Sequence, residues 1–318
     1  MIRRVPYAKL GSGFKEIMRR IWTPSSNILF LAAAAVFLAL IFLFSFNAQA
    51  HRLAAATQPA LTIWAWERDE DLSFIDPAKV SVAYFAGTVY VHGDSVRFRP
   101  RIQKLTMPKG THAFPVFRIE SIRASSDASD KTGFCSSDHE IPTKRAAGYV
   151  AKTIAIQVEK LSRCESDAAA FNKIRSMSGS KIVQIDFDAL EDERPFYKEL
   201  LRNLKRELSS DTKISITSLA SWLLADKWLE RASADEAVAM LFSMGAGKRE
   251  VLSRLKRQSL DSGAGMPIAV GISASESATN RELLNSRIQR KKGGLYIFSS
   301  KPWNEQRLRT ITSEALAQ

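Results

Sequence analysis

KIVQIDFDALEDE, Lys181 to Glu193, alternates apolar and polar residues with a period of two. In an extended chain Val183, Ile185 and Phe187 share one face, and Gln184, Asp186 and Asp188 share the other. The apolar face predicts a strand covered by neighbouring elements. The polar face then lines up two carboxylates, which repel. At least one of them holds its proton to a higher pH than usual, the condition for acid catalysis near neutrality. The competing reading is a structural pair salt-bridged to Arg118, because burying an acidic pair without partners costs several kcal/mol.

The same alternation recurs on both sides of this strand. LTIWAWE (Leu61–Glu67), VSVAYFAGTVYVH (Val80–His92, broken at Ala86-Gly87) and HAFPVFRIE (His112–Glu120) precede it, with SVRFRPR (Ser95–Arg101) as a hairpin arm. A loop follows from Ala124 to Pro142, then a helix from Thr143 to Cys164. Beyond the opening strand, a helix over Arg194–Leu208 carries Phe196, Leu200, Leu201, Leu204 and Leu208 on one stripe. Strands are then expected at Lys213–Leu219, Ala237–Met244, Met266–Ser273 and Gly294–Ser300, each followed by a helix. Eight strands, mostly separated by helices, predict a (β/α)8 TIM-type barrel over residues 61–318. An open doubly wound sheet fits less well, because no Gly-rich phosphate turn follows the first strand.

Ahead of the barrel the chain divides into a basic leader (1–27), an apolar run (28–46) and a linker (47–60). The leader sets Arg3, Arg4, Lys9, Lys15, Arg19 and Arg20 against Glu16 alone. The run ILFLAAAAVFLALIFLFSF, Ile28 to Phe46, is uncharged and as a helix is about 28 Å long, close to a bilayer core. The basic flank predicts a cytoplasmic N-terminus and an exported barrel domain. Two fates fit: a transmembrane signal anchor in the inner membrane, or release to the periplasm after cleavage following Ala50, where Ala48-Gln49-Ala50 has the A-x-A form. The length of the run favours the anchor. Export permits a disulfide between the two cysteines, Cys135 and Cys164, without requiring one. The whole chain of 318 residues carries a net charge of +13, which reads either as a solubilising surface or as affinity for anionic envelope polymers.

In a barrel of this type the reactive groups lie at the C-terminal strand ends. Asp188 is then the outermost acid of the opening strand, with Asp186 one layer below and Gln184, a candidate ligand contact, below that. On the first strand Trp64 and Trp66 share the inward face, suited to stacking on a sugar ring or to filling the barrel. Glu67 ends that strand as a further candidate acid. Arg118 and Glu120 share a face at the end of the third strand, as a ligand clamp or as a rim ion pair. Trp222 and Trp303 follow the fifth and eighth strands as rim candidates, with core packing as the alternative.

Other chemistries lack their motifs. Neither serine after the fifth strand lies in a G-x-S-x-G elbow, and the four histidines show no H-E-x-x-H or paired metal spacing. Gly245-Ala246-Gly247-Lys248 lacks the Walker spacing, and the short basic clusters come with no nucleic-acid motif, so neither a cofactor nor nucleic-acid binding is expected.

Two resemblances add to this reading. QIDFDA (Gln184–Ala189), SITSLASWL (Ser215–Leu223), AVAMLFSMG (Ala237–Gly245) and LYIFSSKPW (Leu295–Trp303) resemble, in that order, the bacterial domain-of-unknown-function 3142 family of exported or anchored proteins. That resemblance implies organisation and carries no established activity. The fourth strand is also similar to that of chitinase-like glycoside hydrolase barrels, which ends in D-x-D-x-E with the last acid as proton donor. Here Gln184 replaces the first acid and Asp188 the donor Glu. In the other alignment the donor position falls on Leu190, and activity is lost. The expectation is therefore an envelope-facing barrel acting on carbohydrate through Asp188, Asp186 and Glu67. The alternative is a non-catalytic, anchored binding or assembly protein of the envelope.

Overall fold

The computed structural model describes residues 59, 61–122, 140–164, 181–224, 228, 234–257, 260, 265–285 and 294–316. In chain order the strands are β1 (Leu61–Ala65), β2 (Glu70–Asp71), β3 (Val80–His92), β4 (Ser95–Pro100), β5 (Leu105–Thr106), β6 (Ala113–Ser121), β7 (Ile182–Asp186), β8 (Lys213–Leu219), β9 (Glu236–Met240), β10 (Ile268–Ser273) and β11 (Leu295–Phe298). The helices are α1 (Lys144–Cys164), α2 (Arg194–Glu207), α3 (Ala220–Leu224), α4 (Lys248–Arg257), α5 (Ser277–Asn285) and α6 (Glu305–Leu316). Strands β1, β3 and β6–β11 pair in parallel in that order, and β11 pairs back to β1, which closes an eight-stranded barrel. Helices follow β6 through β11 and cover the outer face.

The first two crossovers contain no helix. After β3 the chain folds back as β4, antiparallel to the upper half of β3, and β2 pairs with β5 in a small parallel ribbon. The β3–β6 register shifts between Phe85 and Gly87, at the break the sequence predicts. A Cβ on Gly87 would lie 2.5 Å from the Arg99 carbonyl oxygen, so the close approach of β4 needs glycine there. Arg101 then holds the loops above β1. Its guanidinium donates to the carbonyls of Trp66 and Arg68, both at 2.5 Å, and of Gln103 at 2.9 Å, satisfying backbone that no ladder pairs.

The expected elements are present, with shifted ends. The sixth barrel strand stops at Met240 instead of Met244, because Ser243 (φ 52°) and Gly245 (φ 54°) are left-handed and end any extended run. The helix expected from Trp222 begins at Ala220, and its described part ends at Leu224. The apolar run 28–46, Cys135, the Cys164 side chain and most of the loop 124–142 lie outside the described residues. Among the described residues no helix is long and apolar enough to cross a membrane.

Strand alternation divides the core in two. Ile63, Val82, Ile185, Ile216, Ala239 and Ile297 point outward to the helices, where α2 contributes Phe196, Leu200, Leu201 and Leu204. Trp64, Phe114, Val116, Ile182, Val238 and Tyr296 fill the barrel itself. The Trp64 indole fits because Gly271 faces it; a Cβ there would sit 3.0 Å from its ring. A polar chain crosses this interior. Trp64 Nε1 donates to Gln184 Oε1 (2.7 Å), Gln184 Nε2 to Ser215 Oγ (3.1 Å), and Ser215 Oγ to Glu236 Oε1 (2.9 Å), which also accepts from the Tyr296 hydroxyl (2.8 Å). Five strands are stitched together across the lumen. Gln184→Met keeps volume but orphans the Trp64 N–H. We expect a loss of about 2 kcal/mol in denaturant unfolding, against a loss near zero for exposed Gln306→Met.

Candidate functional site at the barrel mouth

The C-terminal strand ends bring together acids, arginines and aromatic rings. The β6–β7 register sets Arg118 directly beside Asp186. Asp186 ends β7 on its inward face, and the Thr217 hydroxyl, inward on β8, donates to its Oδ1 at 2.8 Å. Burial, reinforced by the negative charge of Asp188, raises the Asp186 carboxyl to about 6. Asp188 lies two residues on, where solvent still reaches it, and partial burial raises its carboxyl while Arg118 pulls it down.

Arg118 does not form a salt bridge with this pair. Its guanidinium binds Glu120 at 2.9 Å, both side chains being partly exposed. Its charge still favours the ionised forms of Asp186, Asp188 and Glu67. Glu67 is gripped by both guanidinium arms of Arg99, with Oε2 at 3.0 Å from Nη2, and this partner holds its carboxyl below the usual range. Arg99 also donates to the Tyr90 hydroxyl at 3.2 Å. Arg99 thus favours the ionised form of Glu67.

The aromatic residues separate by depth. Trp66 is partly exposed at the mouth, against Phe85 (5.4 Å between centroids) and Phe298 (6.3 Å), and Phe298 stacks on Phe242 at 5.3 Å with 6° between planes. Trp64 lies one layer below and is buried. Gln184, a candidate ligand contact from sequence, is enclosed with both ends of its amide engaged in the interior chain. Trp222 and Trp303 are core rather than rim. Trp222 packs on Tyr197 and Trp228 behind α2. Trp303 donates its indole N–H to the Trp64 carbonyl at 2.8 Å, while its backbone N–H donates to Glu70 at 2.8 Å.

Four further groups shape the site. Phe242 and Phe298 continue the inward alternation of Val238 and Tyr296, so strand parity carried to the strand ends would have found them. Thr217 is inward on β8 by the same parity. Glu193, the last residue of the opening stretch, is fully buried and fixes the loop that carries Asp188: it accepts from Leu190 N–H at 2.7 Å and from the Ser121 hydroxyl. No alternation marks Glu193, because its role depends on a contact across to β6. Among the described residues no cluster of His, Cys, Asp and Glu has the arrangement of a metal site.

The Asp186 carboxyl makes stability depend on pH. Its folded pKa lies above the ordinary 3.8, so the folded state holds this proton more tightly than the unfolded one. Stability attributable to it is complete below about pH 4 and falls as pH rises through about 6. Asp186→Asn, which can still accept from Thr217, should raise Tm by about 4 °C at pH 8 and by nothing at pH 3.5, measured by calorimetry. An equal gain at both pH values would deny the linkage. No family model matches this chain and no curated protein is similar to it in sequence, so the reading of the mouth rests on its own geometry.

Proposed function

We propose that the barrel is a glycoside hydrolase-like enzyme of the bacterial envelope, acting on carbohydrate at this mouth. The observation that carries the reading is the pair Asp186 and Asp188, both with raised pKa, at the C-terminal end of a barrel whose other strand ends carry the partly exposed rings of Trp66, Phe242 and Phe298. A sugar ring offers C–H faces to such a floor and hydroxyls to Arg118 and Glu120. Asp188, the outer acid, passes the proton that the pair holds on Asp186 to the glycosidic oxygen as the C–O bond breaks. Water then adds to the sugar carbon, and the proton it releases returns to the aspartate pair. Asp186 tunes the pair, because two neighbouring carboxyls share protons instead of ionising together.

The apolar run 28–46 supports placing the chain in the inner membrane with the barrel on the periplasmic or extracytoplasmic side, or in the periplasm after cleavage following Ala50. The resemblances to the domain-of-unknown-function 3142 family and to chitinase-like barrels fit that setting. A second reading, a non-catalytic envelope protein that binds carbohydrate, is favoured by one feature: Glu67 and Glu120, the other candidate acids, are each neutralised by an arginine.

The purified full-length chain should cleave at least one member of a panel of chito-oligosaccharides and peptidoglycan glycan fragments. Asp188→Asn should lower turnover at least 100-fold with binding retained, and Trp66→Ala should weaken binding about 10-fold. Binding without turnover would establish the second reading. Unchanged turnover in Asp188→Asn would remove Asp188 from the chemistry.

A further inference from the structure

Asp186 faces a crowded set of groups. Arg118 and Glu120 approach from β6, Asp188 from the loop after β7, and the buried Tyr197 from α2. Among the described residues only Thr217, on β8, touches its carboxyl with a hydrogen bond, 2.8 Å to Oδ1. The Thr217 side chain is itself buried. Its single hydroxyl hydrogen has one other acceptor in range, the Ile185 carbonyl at 3.5 Å, which is beyond the usual span of an O–H···O bond. The shorter contact wins, and the hydrogen goes to Asp186.

We propose that Thr217 is the positioning residue of the acid pair: by donating to Oδ1 of Asp186 it fixes the carboxyl plane and reserves Oδ2 as the oxygen that gains and loses the proton. This rests on the reading of the aspartates as the site's acid groups. An Oδ1 that already accepts from Thr217 is a poorer seat for a proton than Oδ2, so the two oxygens are inequivalent. The bond also stabilises the ionised carboxyl, and so opposes burial and the Asp188 charge, which act the other way. Thr217 therefore lowers the pH at which Asp186 exchanges its proton, against the larger effect of burial. A merely structural threonine would be replaced by isosteric valine with no change in that titration.

The test is a carboxyl carbon NMR titration of Asp186 in the full-length chain, compared with Thr217→Val and Thr217→Ser, with Thr217→Ala in reserve should valine prevent folding. In the native chain Asp186 should titrate near 6. Removal of the hydroxyl by valine or alanine should move the midpoint up by about one unit. Serine, which restores the donor, should return it to the native position. An unchanged midpoint in the valine or alanine variant, or a serine midpoint displaced as far as theirs, would overturn the proposal. The titration needs no substrate. A chain that cleaves nothing yet shows these shifts refutes the enzymatic reading alone, and a chain that cleaves glycans without them refutes the role of Thr217 alone.

Discussion

The hydrogen bond from the Trp64 indole to Gln184 is the contact on which the barrel's interior depends. A parallel barrel must fill its own lumen with side chains. Here one large indole and one amide do so together with Phe114, Val116, Ile182, Val238 and Tyr296, and Gly271 leaves the space the indole needs. The amide passes the connection on to Ser215 and Glu236, which brings β1, β7, β8, β9 and β11 to a common centre. Such a chain contributes stability only while every member is satisfied. It also sets the height of what lies above: with Gln184 locked in the middle layer, Asp186 is held one step nearer the mouth and Asp188 a further step on.

That stacking explains why the acids differ. Asp186 lies deep enough that burial dominates its titration, and Asp188 lies where the loop opens to water. Arg118, despite its place beside Asp186, gives its close contact to Glu120. The result is a pair of carboxyls under moderate positive influence with no direct ion pair, flanked by acids that arginines have neutralised. Trp66, Phe242 and Phe298 add a floor with exposed ring surface. The chemistry we propose for this opening is proton exchange with a ligand that has both apolar and hydroxylated faces.

Much of the fold was legible because alternation with period two survives in every barrel strand, and parity sorted Trp64, Trp66, Gln184 and Asp186 to the inside. The limits of that reasoning are equally physical. Parity says which way a side chain points but nothing of its depth, so Gln184 looked like a ligand contact when its amide is consumed inside the barrel. Trp303 was ambiguous because its partners, the Trp64 carbonyl and Glu70, lie more than 230 residues away in the chain. The grip of Arg99 on Glu67 depends on β4 folding back over β3, which depends in turn on a close approach at Gly87. Glu193, invisible to any periodicity, fixes the Asp188 loop through Ser121.

The most direct test of the proposed mouth is a crystal structure of the Asp188→Asn protein soaked with a chito-oligosaccharide. The account predicts a sugar ring against Trp66 and Phe298, with a glycosidic oxygen within hydrogen-bonding distance of residue 188. A sugar bound elsewhere on the surface, with the mouth left to water, would contradict it.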